Sequence, residues 1–261
     1  MILRALLVTV LLAETTDAKA QDIAKHFEGI QGTFVLLNDQ TGQYIRHDAG
    51  RAARRFPPCS TFKVPNTAIL LETAAVTDPE QVLKYDPALK QGSFWAHDQS
   101  LRSAFKVSAL WYYQVLSRQI GLEAEDRYVK QFRYGNADTS GGMETMNSPF
   151  WVDGSLRISA NQQVEFLRRF YEGGLGLSDR TTRLTKEIMV SDETPRWRLS
   201  AKTGACRPTG EDATVWYVGY VERSKDVYYF ALQLGDKEFG DLLNQRVNKA
   251  RAILTDLGIL D

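Results

Sequence analysis

The chain has 261 residues, 43% hydrophobic and 25% charged, with 32 basic side chains balanced by 32 acidic ones. That length can bury a substantial core without metal or cross-link support; the neutral balance argues against a nucleic-acid binder, and the apolar content excludes a disordered chain. Three histidines and two cysteines are too few for a multi-ligand zinc or iron–sulfur protein, and His26, His47 and His97 read as surface or capping residues, so no metal is expected.

The first twenty residues read as a secretory signal. Arg4 supplies positive charge, residues 5–13 form an apolar run too short to span a bilayer, and Ala18-Lys19-Ala20 offers a small-x-small cleavage site. The expected mature chain is residues 21–261, a single domain exported to the periplasm, where disulfides are permitted. No later stretch reaches the length of a membrane span.

Residues 32–37 and 43–47 are short apolar-rich runs around Asn38-Asp39-Gln40-Thr41-Gly42, which predicts a β-hairpin. Pro57-Pro58 stops the preceding element, and a helical pattern opens at Ser60 and runs to residue 71. Residues 107–120 read as another helix, and residues 134–149, rich in Gly, Asn, Ser and Thr, as a loop. Helices are expected over 161–171 and 179–190, and strands over 199–203, 213–222 and 227–234, the last two joined by Arg223-Ser224-Lys225-Asp226. An amphipathic helix closes the chain over 240–257. Strands at both ends with helices between them predict an α/β (α+β) architecture: an antiparallel sheet flanked by helices, with an inserted all-helical region.

Ser60-Thr61-Phe62-Lys63 is an S-x-x-K element at an expected helix start. Residues three apart share a helix face, so the Lys63 amine can reach the Ser60 hydroxyl, which is a weak nucleophile without such a base. Taken singly, the element also describes a capping serine and a solvated lysine. Three more elements follow in order: Ser108-Ala109-Leu110, expected to open a helix; Tyr134-Gly135-Asn136, in the glycine-rich loop; and Lys202-Thr203-Gly204, at a strand end, where a lysine and a hydroxyl can meet a carboxylate and glycine permits close backbone approach.

Together these elements resemble the class D serine β-lactamases, the oxacillinase group, and the similarity extends through Phe150-Trp151-Val152-Asp153-Gly154 and Val215-Trp216-Tyr217 to the C-terminus. The resemblance implies the serine β-lactamase/penicillin-binding transpeptidase fold and hydrolysis of β-lactams through an acyl-enzyme on Ser60. It implies that carbon dioxide converts Lys63 to a carbamate, N6-carboxylysine, which serves as base, and that no other cofactor is needed. It assigns Ser108 to proton relay, the Trp151 indole to the carbamate, and the Ser60 and Ala205 backbone N–H groups to the oxyanion hole. Lys202, Thr203, Gly204, Tyr134, Asn136 and Leu110 are implied substrate contacts. Counting back from Leu257-Gly258-Ile259 gives Arg246, rather than Arg251, as the arginine that holds the substrate carboxylate. Leu110 departs from the valine usual in the family. In the same fold the strand carrying Cys206 runs beside the helix start carrying Cys59, so a Cys59–Cys206 disulfide is inferred, although it is not a general class D feature. The expected partner is a small-molecule β-lactam, with no nucleic acid and no membrane span. The competing readings are a penicillin-binding transpeptidase or carboxypeptidase, whose second motif ends in asparagine; a β-lactam sensor that acylates without turnover; and a class A enzyme, whose E-x-x-L-N motif is missing from this sequence.

Overall fold

The structure, a computed structural model, describes residues 23–143 and 148–261; the expected signal segment lies outside the described residues. β1 (Gln31–Asn38) and β2 (Tyr44–His47) form the expected hairpin, with the Gly42 N–H donating to the Asn38 carbonyl at 2.9 Å. A short helix α1 (Ala49–Ala53) and strand β3 (Arg55–Phe56) lead to Pro57-Pro58. A 3-10 turn over Cys59–Phe62 then runs straight into α2 (Lys63–Glu72).

The helix expected over residues 107–120 begins at Leu110, and a helix that was not expected precedes it. α3 (Leu101–Val107) and α4 (Leu110–Ile120) meet at Ser108, which sits at φ +62°. The Ser108 and Ala109 N–H groups donate back to Phe105 and Ala104 at 3.2 and 2.9 Å, a left-handed helix ending. Ser108 therefore closes one helix instead of opening the next. The apolar pattern places the start of the second helix three residues early because Val107 still packs against the core.

The helical region continues with α5 (Leu122–Gln131), α6 (Phe150–Asp153), α7 (Ala160–Tyr171) and α8 (Asp179–Met189), with β4 (Ile158–Ser159) pairing β3. Ser159 and Gln162 cap α7 reciprocally, which fixes its start one residue ahead of the expected position. The chain returns to the sheet through β5 (Val190–Glu193), β6 (Arg198–Cys206), β7 (Ala213–Arg223) and β8 (Asp226–Asp236), and ends in α9 (Leu242–Asp256).

The six-stranded sheet is antiparallel throughout, in the order β2-β1-β8-β7-β6-β5. Alternate residues separate its two faces. Val215 and Tyr217 of β7 pack with Ala250, Ile253 and Leu254 of α9, while Trp216, Val218 and Tyr220 join the core shared with the helical region. The predicted architecture is the one observed.

The helical region buries one acid that none of the motifs contains. Glu125 of α5 is fully buried, and neither carboxyl oxygen makes a well-formed hydrogen bond. Beside it, Ser117 accepts from Asn66 Nδ2 at 2.9 Å. Burial pushes the Glu125 carboxyl up to about 7, with Ser117 acting weakly in the other direction. The folded state thus holds a proton that the unfolded chain releases from its model value of 4.5 upward. Stability from this group is complete below that value and falls by about 1.4 kcal/mol per pH unit until the folded pKa is passed, roughly 3 kcal/mol in all. Glu125→Gln removes this loss. Urea midpoints at pH 5 and pH 8 should show the variant losing less stability than wild type over that interval; identical pH dependence would place the carboxyl in a solvated setting.

Candidate active site

Three separate chain segments converge where the sheet meets the helical region. The first is the nucleophile turn. The Trp216 indole donates to the Pro57 carbonyl at 2.9 Å, and Gln163 Nε2 donates to Thr61 Oγ1 at 2.9 Å, so β7 and α7 hold the turn from two sides. Lys63 begins α2 one turn after Ser60, and its Nζ donates to Ser60 Oγ at 3.0 Å. Lys63 is only 1% exposed, and its ammonium lies 5.2 Å from the centre of the Tyr113 ring. Desolvation lowers its pKa from 10.5 to about 7, which puts a large neutral fraction within the physiological range.

The second segment is the α3–α4 junction. Ser108 Oγ accepts from Lys202 Nζ at 3.0 Å. Leu110, half-buried at the first position of α4, packs against the apolar core. The third is β6. Its partner β5 pairs only with Arg198, Leu199 and Ser200, leaving residues 202–206 with a free edge. A Cβ at Gly204 would lie 2.9 Å from the Pro58 carbonyl oxygen and 3.0 Å from Thr61 Cγ2, so only glycine lets the strand lie against the nucleophile turn. One residue beyond Ala205, Cys206 is disulfide-bonded to Cys59, with Cα atoms 5.5 Å apart. The inferred pairing is present.

The electrostatics of the cleft are one-sided. Lys202 is buried, and its pKa is driven well below 10.5, first by desolvation and then by the charges of Lys63 and Arg246. Arg246 projects from α9 with Nε and Nη1 buried and unpartnered, and burial lowers its pKa too. No carboxylate among the described residues pairs with Lys63, Lys202 or Arg246. Three cationic groups without a counter-ion make a site built for anions.

Trp151 of α6 is buried and stacks on Phe62 at 5.3 Å, which places its ring against the residue that precedes Lys63. Tyr134 and Asn136 take other places than the expected substrate contacts. Tyr134 has no exposed surface and meets Phe62 edge-on at 5.7 Å. Asn136 uses both ends of its amide on another loop, donating to the Ser155 carbonyl at 2.8 Å and accepting from the Arg157 N–H at 2.9 Å. Tyr134 thus packs behind the nucleophile turn, whereas the exposed Asn136 ties its loop to residues 155–157. Sequence reasoning missed Trp216 and Gln163, which hold the turn from far along the chain, and Tyr113, whose ring faces the Lys63 amine. Among the described residues no cluster of metal-ligating side chains exists. His26 bonds to Asp256, His97 to Gln99, and His47 stacks on Phe27.

Residues 32–256 match the penicillin binding protein transpeptidase domain. The β-lactamase OXA-5 of Pseudomonas aeruginosa is 35% identical over 264 residues, covering 98% of this chain and 97% of that protein. The crystal structure of the class D β-lactamase YbXI from Nostoc superposes with a TM-score of 0.85 at 34% identity, over 91% of this chain and 99% of that one. The chain belongs to the class D β-lactamase family. Class D architecture is also shared by the C-terminal domain of the Bacillus licheniformis BlaR penicillin receptor, at TM-score 0.83 and 30% identity over 91% of this chain and 95% of the receptor domain. Fold alone therefore does not separate a class D hydrolase from a receptor, and the chemistry of the cleft has to.

Proposed function

We propose that this chain is a β-lactamase that opens the lactam ring of penicillin-type antibiotics through an acyl-enzyme on Ser60, and so confers resistance. The observation that carries this reading is the Lys63 amine, buried, partly neutral near pH 7 and 3.0 Å from Ser60 Oγ. Only a neutral amine adds carbon dioxide, and the resulting carbamate supplies a base beside Ser60. The change from a cation to an anion at Lys63 also relieves the excess positive charge of the cleft. In this assignment Trp151 gives its indole N–H to that group, and Leu110 keeps its surroundings dry.

With its proton removed, Ser60 Oγ attacks the lactam carbonyl. The backbone N–H groups of Ser60 and Ala205, on the two segments tied by the disulfide, receive the developing oxyanion. Ser108, hydrogen-bonded to Lys202, passes a proton to the lactam nitrogen as the ring C–N bond breaks. Lys202, Thr203 and the two unpartnered nitrogens of Arg246 hold the substrate carboxylate, with Gly204 keeping the strand close. Water then attacks the ester and releases the ring-opened acid. No metal enters this chemistry. The catalytic domain is residues 21–261, carried to the periplasm by residues 1–20, which are then removed. Among the described residues no helix is long and apolar enough to cross a membrane.

A receptor or transpeptidase reading remains specific enough to test, because the BlaR domain shares the fold. A chromogenic cephalosporin distinguishes them: many turnovers per molecule are expected, whereas one stoichiometric burst means a receptor or transpeptidase. The base is tested with the same assay. Against a pKa of about 7, lowering the pH from 7 to 6 cuts the neutral fraction of Lys63 about fivefold. Degassed buffer near pH 6 should therefore lower the rate, and bicarbonate should restore it. Indifference to bicarbonate would mean an unmodified lysine.

A further inference from the structure

The Tyr134-Gly135-Asn136 element has no part in the chemistry proposed above; it holds Arg157. The Arg157 N–H donates to Asn136 Oδ1, and the Arg157 carbonyl accepts from the Asn136 N–H, each at 2.9 Å. The Arg157 side chain reaches two further segments. Its Nε donates to the Gly154 carbonyl at 2.7 Å, and its Nη2 pairs with Glu211. Gly154 ends α6 at φ +103°. A Cβ there would stand 3.1 Å from Arg157 Nη2 and 3.3 Å from Glu211 Oε1, so the glycine leaves room for the pair. Glu211 lies in the β6–β7 loop that follows Cys206, in a turn where its N–H donates to the Pro208 carbonyl at 3.1 Å.

Arg157 therefore joins the 134–136 loop, the end of α6 and the β6–β7 loop. α6 has four residues, barely one helical turn, so its placement depends on anchors outside itself. It carries Trp151, which stacks on Phe62 at 5.3 Å, and Lys63 follows Phe62 in the chain. A shift of α6 is thus felt beside the Lys63 amine. The two side chains of the ion pair are 32% and 37% exposed. A pair so exposed adds little to global stability, and its effect is local.

Resting on the carbamate reading of Lys63 given above, we propose that Arg157 and Glu211 are positioning residues for that carbamate. They latch the end of α6 to the β6–β7 loop, keep Trp151 in place, and so raise the fraction of Lys63 that is carboxylated at a given carbon dioxide concentration. The neutral amine takes up carbon dioxide and releases a proton, and the carbamate reverts by the same route. A weaker hold on the carbamate therefore shows as a greater need for bicarbonate.

The test measures kcat and KM for a penicillin over a bicarbonate series, in sealed, degassed buffer near pH 6. It compares wild type, Glu211→Gln, Arg157→Gln and the double variant. The bicarbonate concentration for half-maximal kcat should rise about threefold in Glu211→Gln, the scale of a part-exposed ion pair. It should rise further in Arg157→Gln, which also loses the bond to Gly154. The double variant should match Arg157→Gln, because Glu211 acts through that residue. Saturating bicarbonate should return kcat to within about twofold of wild type in all three, with KM unchanged. Glu211→Gln leaves the bonds of Arg157 to Asn136 and Gly154 in place, so it decides the matter even should Arg157→Gln fold poorly. An unshifted bicarbonate requirement in Glu211→Gln overturns the proposal. So does a loss of kcat that saturating bicarbonate leaves unrepaired, which would mean general damage to the cleft, or a raised KM, which would mean the loop meets the substrate itself. A wild type indifferent to bicarbonate refutes the carbamate at Lys63 first, and this inference with it.

Discussion

Ser60→Ala should abolish turnover while leaving the protein folded. The loss of kcat should be at least about a thousandfold, since removing the nucleophile from a serine site leaves only the catalysis due to binding and the oxyanion hole. Folding should survive because the Ser60 hydroxyl is half-buried and its partner is the Lys63 amine, which is partly neutral near pH 7. Thermal unfolding should move by no more than about 2 °C, the scale of a change that removes no core packing. Intact mass spectrometry of wild type with a slowly released β-lactam should show an acyl adduct, mapped to the Ser60 peptide and missing from the variant. An adduct on any other residue would refute the assignment.

The second large effect belongs to the disulfide. Cys59 and Cys206 are 147 positions apart, and closing so long a loop removes unfolded-state entropy worth up to about 4–5 kcal/mol in the chain-entropy model. Cys206→Ser should lower the urea midpoint accordingly, and reduction of wild type should reproduce the shift. Activity should fall as well. The bond ties the residue before the nucleophile to the residue after Ala205, so its loss lets the two halves of the oxyanion hole move apart. Peptide mapping without reductant should recover one linked pair from periplasmic protein; two alkylatable thiols would end this reading. A variant that lost stability but kept kcat would show that the close approach at Gly204 is sufficient to align the strand.

The outline of this molecule was legible wherever its physics is local. The hairpin turn at Arg223-Ser224-Lys225-Asp226 between two apolar runs placed two central strands within a residue or two of their observed limits. The S-x-x-K spacing brought Lys63 to Ser60 through helix geometry alone. The signals failed where tertiary contacts decide. α5 went unread because its buried side chains include Glu125, so the apolar stripe is faint. Ser108 was read as opening a helix because a left-handed residue leaves no trace in a hydrophobic pattern; it closes α3, which went unread. Tyr134 and Asn136 were read as substrate contacts from motif position, yet one is sealed in the core and the other has its amide committed to the 155–157 loop. Arg246 was placed by register, and only its buried, unpartnered nitrogens give that placement a physical reason.

The backbone at Ser108 sets a limit on how this protein can be improved. A non-glycine residue at φ +62° costs on the order of 1 kcal/mol or more, which glycine would recover. Ser108→Gly is thus among the simplest stabilising changes open to the chain, and it deletes the hydroxyl that accepts from Lys202. Cys59, at φ +51°, differs: glycine there would break the disulfide with Cys206 and lose more stability than the backbone regains. A laboratory selection for heat resistance alone would drift toward sturdy, inactive variants at Ser108, whereas selection in the presence of antibiotic keeps the strained residue in place.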